Sequence, residues 1–229
     1  MVILFKTILK EEAFSSPHQL SFSNLEEMNQ LEPVKDFLGR YNNVLSYGNY
    51  VPEYQAMAKM ASQVPNFLDR MRQTINKISG GNTTKCWRGL ALYKKQEAYD
   101  NFINLKLGDK VNMTSWNART VFSWAAYINR AVRFAVKSMS QNKADLGVIV
   151  EALIPHEQML YFDNAFSAEC FDSLASEWGY HSIKHYSFEN EAIVIHSRPL
   201  VGKLVYHSSD PKGTKKFLDT LSKTKWDEW

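Results

Sequence analysis

Apolar positions along this chain follow two different periods. From residue 23 to residue 80 they recur at steps of three and four, the spacing of one face of an α-helix. After Pro33, a residue tolerated in a helix's first turn, Val34, Phe37, Leu38 and Tyr41 follow at that spacing, with Gly39 weakening the helix. Upstream, SNLE at 23–26 has the Ser-x-x-Glu form of a capping box. A second helix is expected over 52–62. A third is expected over 66–78, where Phe67, Leu68, Met71, Ile75 and Ile78 form one stripe. SGGN at 79–82 supplies a glycine stop. It also marks a boundary between a helical N-terminal subdomain, 1–80, and a second unit, 83–229.

Beyond residue 82 the runs shorten. KCWRGLAL (85–92), LGVIVEALI (146–154), MLYFD (159–163), AIVI (192–195) and KLVYHS (203–208) read as strands, most of them buried. LGDKVNMTS reads as a turn and strand. Helices are expected over 94–105, 165–178 and the basic stretch 210–225. The strongest helical pattern covers 117–139, with Val121, Ala125, Ile128, Ala131, Val132 and Ala135 as its inner stripe. Helices first, then strands with helices between them, predict an α+β fold with a mixed or antiparallel β core.

Composition narrows the class only a little. The 229 residues are 45% apolar and 22% charged, ordinary for a soluble globular protein with its own core. A formal net charge of +3 is too small to argue nucleic-acid binding. Cys86 and Cys170 give no metal spacing and no disulfide framework, as expected of reduced thiols in a cytoplasmic protein. The N-terminal apolar run is cut short by Lys6, too soon for a signal-peptide core. No run reaches transmembrane length. Neither a metal nor a membrane partner is expected.

Four short features carry candidate chemistry. Glu189 and Glu191 stand at the mouth of the strand AIVI. Residues two apart on a strand face one side, roughly 6–7 Å apart. A partly buried acid beside another acid suits proton transfer or stabilisation of a cation, although a bare Glu-x-Glu is more often two solvated charges. Arg88 lies inside an apolar run, where its fork needs a carboxylate or phosphate, and Gly89 beside it permits close approach by a ligand. Thr114 and Ser115 are hydroxyls before the long helix, suited to capping it or to holding a carboxylate or ribose. Trp116, Phe122 and Trp124 are core aromatics or stacking platforms.

The order of these features, aromatic-Arg-Gly, then a Ser/Thr tripeptide before a helix, then Glu-x-Glu on a late strand, resembles the arginine-specific mono-ADP-ribosyltransferases. It is most similar to their bacteriophage-encoded members over residues 85–208. The resemblance implies a β core of ADP-ribosyltransferase type and NAD as substrate. It implies Arg88 on the NAD pyrophosphate or ribose, with Gly89, Thr114, Ser115, Trp116 and Phe122 around the nicotinamide end. Glu191 would hold the ribose 2′-hydroxyl and stabilise the oxocarbenium-like transition state, while Glu189 would orient or deprotonate an incoming guanidinium. Tyr180 and Tyr186, with Trp178, would belong to a loop that meets the target. The acceptor would be an arginine on a host protein, such as the transcription or translation machinery, in the host cytoplasm. Met113 departs from the pattern, because it stands where the family has a hydrogen-bonding serine. An NAD glycohydrolase using water, and a catalytically degenerate basic module using Lys212, Lys215, Lys216, Lys223 and Lys225, stay open as alternatives.

Overall fold

The helical stripe after Pro33 is fully used. In the computed structural model, which describes residues 17–47, 50–113, 121–140, 144–187, 191–195, 199–210 and 212–213, 215–217 and 219, Val34, Phe37, Leu38, Tyr41 and Val44 are buried along one helix, Leu31–Tyr47. Before it comes a short helix, Phe22–Glu26, and after it helices Tyr50–Met60 and Pro65–Ser79. These are α1 to α4 in chain order. The α1 cap lies two residues upstream of the expected box: the Ser21 side chain accepts from Asn24 N, and the Asn24 side chain accepts from Ser21 N. Proline opens α4 and Gly80, left-handed at φ 68°, closes it, as the glycine stop predicted. Gly39 sits inside α2 because a side chain there would meet the Tyr180 hydroxyl at 3.1 Å.

The second unit is built on strands β1 (Thr83–Leu92), β2 (Lys110–Asn112), β3 (Val121–Ala125), β4 (Leu146–Pro155), β5 (Met159–Phe162), β6 (Glu191–Ile195) and β7 (Val201–His207). Between them lie helices α5 (Glu97–Ile103), α6 (Ile128–Ser140), α7 (Ala168–Trp178) and α8 (His181–Tyr186). The strands form one sheet in the order β2-β7-β4-β1-β3-β6-β5, with every pairing antiparallel. The expected α+β class holds, and the β core is antiparallel rather than mixed.

Two expectations are corrected. The helix expected over 117–139 is a strand followed by a helix. β3 is buried on both faces apart from Ser123, so it lacks the alternation that marks a half-buried strand. Residues 85–92, 146–155 and 191–195 supply the ladder partners that decide the matter. The segment after Gly179, expected as a loop, contains α8, which is held by Ile183, its one fully buried residue.

The sheet has two halves. β1 runs against β4 over ten residues, from Thr83↔Pro155 to Leu92↔Leu146, yet it meets β3 at one pair, Trp87↔Ala125. α6 lies on the face of the β1–β4 half that carries Trp87, Gly89, Ile149 and Tyr206. Helices α2 to α4 cover β5 and β6, and one apolar core runs from Leu25 through Phe67, Phe166 and Tyr161 to Leu204. The turn at 79–82 therefore separates elements but not cores.

A buried histidine ties these layers together. His156 Nδ1 bonds the Asn76 side-chain oxygen from α4, and its Nε2 bonds the Thr84 hydroxyl of β1 at 2.7 Å. An acceptor on Nδ1 fixes the neutral ring with its proton there, leaving Nε2 to accept. Burial lowers the His156 pKa to about 4, against a weaker opposing backbone hydrogen bond at Thr83. The unfolded histidine, near 6.5, takes up its proton first. Stability should therefore fall as pH drops from about 6.5 to about 4 and level off below. Urea titrations of wild type and His156→Gln across that window should show the slope in the first and a flatter profile in the second. A second test probes the helix–sheet contact. A β-carbon at Gly89 would lie 1.9 Å from the Ala131 carbonyl oxygen of α6. Gly89→Ala should destabilise the protein by about 3 kcal/mol, the upper range for overpacking, read as a lower urea midpoint.

Candidate functional site

Register places Glu191 at the first position of β6, directly opposite Ala125 of β3. Ala125 in turn faces Trp87 of β1. The strands carrying Arg88, the Phe122-Ser123-Trp124 triplet and Glu191 are therefore consecutive neighbours, and Trp87, Ala125 and Glu191 form one row across them. Two strand spacings separate the ends of that row, about 10 Å.

The Glu191 carboxylate is half-buried and held from the helical side. Tyr41 Oη on α2 donates to its Oε2, and Tyr54 Oη on α3 donates to its Oε1 at 3.4 Å. Both phenols are buried. The backbone N–H of Glu191 donates to Asp163 Oδ2 at 2.6 Å, in the turn after β5. The Tyr41 ring packs on Tyr161 with centroids 4.1 Å apart. Burial first, and then the charges of Glu191 and Asp163, push the Tyr41 phenol well above its usual range. Burial, followed by Asp163, does the same to Tyr161. Both rings keep their protons at any working pH, so Tyr41 is a permanent donor to the carboxylate.

Arg88 occupies the fork where β1 leaves β3. Its Nη1 donates to the Ser123 carbonyl, and its guanidinium lies 5.0 Å from the Phe122 ring centroid. Alternation along β3 puts Ser123 and Ala125 on the face of Glu191, and Phe122 and Trp124 on the other. Arg88 and Glu191 thus lie on opposite faces of the sheet, on the two strands that flank the end of β3.

Several expected site residues have different work. Gly89 admits the backbone of α6 rather than a ligand, because its open face is filled by Ala131. Phe122 is core, 2% exposed beneath Arg88, which leaves no bare face for a nicotinamide ring. Trp124 is core as well. Tyr180 is an anchor: its hydroxyl donates to the Lys35 carbonyl of α2 at 2.8 Å, and its ring sits edge-on to Trp178. Tyr186 stays half-buried at the end of α8, edge-on to His185. Thr114, Ser115, Trp116 and Glu189 lie outside the described residues. Met113 is buried, and its N–H donates to the Leu200 carbonyl.

Sequence reasoning missed Tyr41, Tyr54, Asp163 and Ser123. Tyr41 was visible only as one apolar position of a helical stripe, and nothing in its neighbourhood signals a partner in β6. Among the described residues no group of three or more His, Cys, Asp or Glu could hold a metal, and no helix is long and apolar enough to cross a membrane. The chain matches no family model, no curated protein and no solved structure in comparisons with known proteins.

The anchoring of Tyr180 is testable. Tyr180→Phe should cost about 1 kcal/mol of stability, the worth of one partly buried hydrogen bond, read as a small fall in urea midpoint. Its half-exposed neighbour Tyr186 should tolerate the same change.

Proposed function

We propose that this chain is an NAD-dependent mono-ADP-ribosyltransferase that modifies arginine on a protein target. One observation carries the reading: two of the segments that resemble the family's motif, the strands of Arg88 and of Glu191, flank one strand, in the row Trp87, Ala125, Glu191, with Arg88 at the neighbouring fork. Chain distance does not require this, since more than a hundred residues separate the first of these segments from the last. The expectation of an ADP-ribosyltransferase-type β core is compatible with a seven-stranded antiparallel sheet split at that row.

The chemistry asks for a fixed anion beside the nicotinamide ribose. A carboxylate has two oxygens and about four acceptor sites. The Tyr41 and Tyr54 phenols donate to different oxygens of Glu191, and so orient the carboxylate that would meet a ribose hydroxyl. As the bond between ribose C1′ and nicotinamide nitrogen breaks, its electron pair leaves with neutral nicotinamide. The positive charge that develops on the ribose is stabilised by the Glu191 anion. A guanidinium nitrogen of the acceptor then bonds C1′ and gives up a proton, for which Glu189 is the base. Arg88 suits the pyrophosphate, since a guanidinium pairs with phosphate oxygens through two parallel hydrogen bonds. The two groups lie on opposite faces of the sheet, so a dinucleotide reaching from one to the other would have to turn round the end of β3 at Ala125.

Incubation with NAD labelled in its adenylate and with a bacterial lysate should transfer label to protein. Glu191→Gln should lower nicotinamide release by roughly 100-fold or more, the usual loss for one group aimed at transition-state charge. Glu189→Gln should reduce transfer to arginine more than it reduces NAD hydrolysis. Nicotinamide release with no labelled protein would identify a glycohydrolase. Release unchanged in Glu191→Gln, or no release at all, would sink the reading.

A further inference from the structure

The helices of residues 17–79 carry none of the motif residues, yet they hold the carboxylate on which the proposed reaction turns. We propose that Tyr41 and Tyr54 are positioning residues for Glu191, so that the helical N-terminal part is a working component of the site. The proposal rests on the transferase reading for its kinetic consequence but not for its structural one.

Three independent contacts support it. First, the two phenols reach the two different oxygens of the carboxylate from two different helices, Tyr41 from α2 and Tyr54 from α3. Donors on both oxygens fix the carboxylate plane and its depth, where a single donor would leave a free rotor. Second, Glu191's own backbone is pinned by Asp163, so the side chain leaves the strand at a set point. Third, α2 also fixes the segment that leads into β6. Asn42 Oδ1, one position beyond Tyr41, accepts from Ser182 N and Ile183 N at 3.1 and 3.2 Å, taking two donors of the first turn of α8. Ser46 shares a hydrogen bond with Ser182 at 2.7 Å, and Lys35 receives Tyr180. One helix therefore sets both the Glu191 carboxylate and the start of the segment running to Glu189.

The same contacts bear on the departure at Met113. In the family pattern a serine at that position would hold the catalytic glutamate, whereas Met113 is buried and can only pack. Two phenols with permanently held protons supply donors of the kind that serine would have supplied.

Two measurements separate the proposal from the reading beneath it. Glutamate labelled with carbon-13 at its carboxyl carbon allows Glu191 to be titrated by NMR, with Glu191→Gln assigning the resonance. Groups facing the carboxylate among the described residues include Tyr41 and Tyr54, with Asp163 and Tyr161 behind them. Removing a donor to the charged form raises a carboxyl's pKa. Tyr41→Phe, which keeps the ring stacked on Tyr161, should therefore move the Glu191 midpoint to higher pH by about one unit, with Tyr54→Phe moving it less. Circular dichroism should show both variants folded. In the kinetic arm, Tyr41→Phe should lower kcat for nicotinamide release by roughly 10- to 100-fold, with KM for NAD within about threefold, as misplacement of a catalytic group does. An unmoved midpoint in folded Tyr41→Phe overturns the proposal whatever the activity. A moved midpoint with unchanged kcat overturns its kinetic part. Wild-type protein that releases no nicotinamide overturns the transferase reading, while the titration still decides the clamp.

Discussion

The row Trp87–Ala125–Glu191 is the constraint on which the rest of the molecule depends. Among the described residues it is the one place where the long β1–β4 ribbon joins the β3-β6-β5 half of the sheet. Register in such a ladder is not adjustable. A slip of one residue would turn Ile193 and Ile195 to the wrong face and send the glutamate with them. β3 can hold both halves because it is apolar on both faces and paired on both edges. Its end, at Ala125, is where its two neighbours line up, with Trp87 of β1 on one side and Glu191 of β6 on the other. At that point Arg88 finds the Ser123 carbonyl, and Glu191 emerges toward the helices.

Desolvation explains why the helices dock there. A phenol taken into the core needs an acceptor, and a carboxylate taken half out of water needs donors. Tyr41 and Glu191 satisfy each other, while Asp163 takes the strand's first N–H. Leaving either partner alone would cost about 1–3 kcal/mol or more for the charged one. That makes the polar cluster selective, because few dockings of α2 on the sheet would satisfy all its members at once. The aromatic layer of Tyr161, Phe166 and Phe67 supplies apolar contact around it. Polar matching then picks the orientation within that contact.

Helices with one buried stripe were legible in the sequence, since Val34–Val44 and Phe67–Ile75 show the period their burial requires. β3 was not, for a physical reason. A strand buried on both faces has no period-2 signature, and Val121 and Ala125 happen to lie at helical steps from Ile128, where a true helix begins. α8 was missed because a six-residue helix with one buried residue presents no stripe. At the candidate site, Arg88 and Glu191 could be picked out by residue type and order, because a charged residue set in an apolar run is itself a signal. Gly89 misled because a glycine in a strand signals close approach without saying by what, and here α6 approaches. The tyrosines could not be picked out at all. A tyrosine in a helical stripe reads as core, and its partner lies 150 positions away in the chain for Tyr41 and 137 for Tyr54.

This asymmetry bears on how a motif should be read when one of its members is missing. What a catalytic carboxylate requires is a donor at a set distance that keeps its proton, and a serine hydroxyl is one way of providing it. A buried phenol is another, and the low polarity that keeps its proton in place also strengthens the bond it makes. Burial lifts the Tyr41 phenol further from ionisation, and the neighbouring Glu191 and Asp163 charges lift it again, so the donor becomes more dependable as the site becomes drier. On the transferase reading, Tyr41 and Tyr54 hold the carboxylate from another part of the chain, whichever of Thr114 and Ser115 shares the duty that Met113 cannot perform. The helical segment then belongs to the site, because it carries two of the donors that hold the carboxylate.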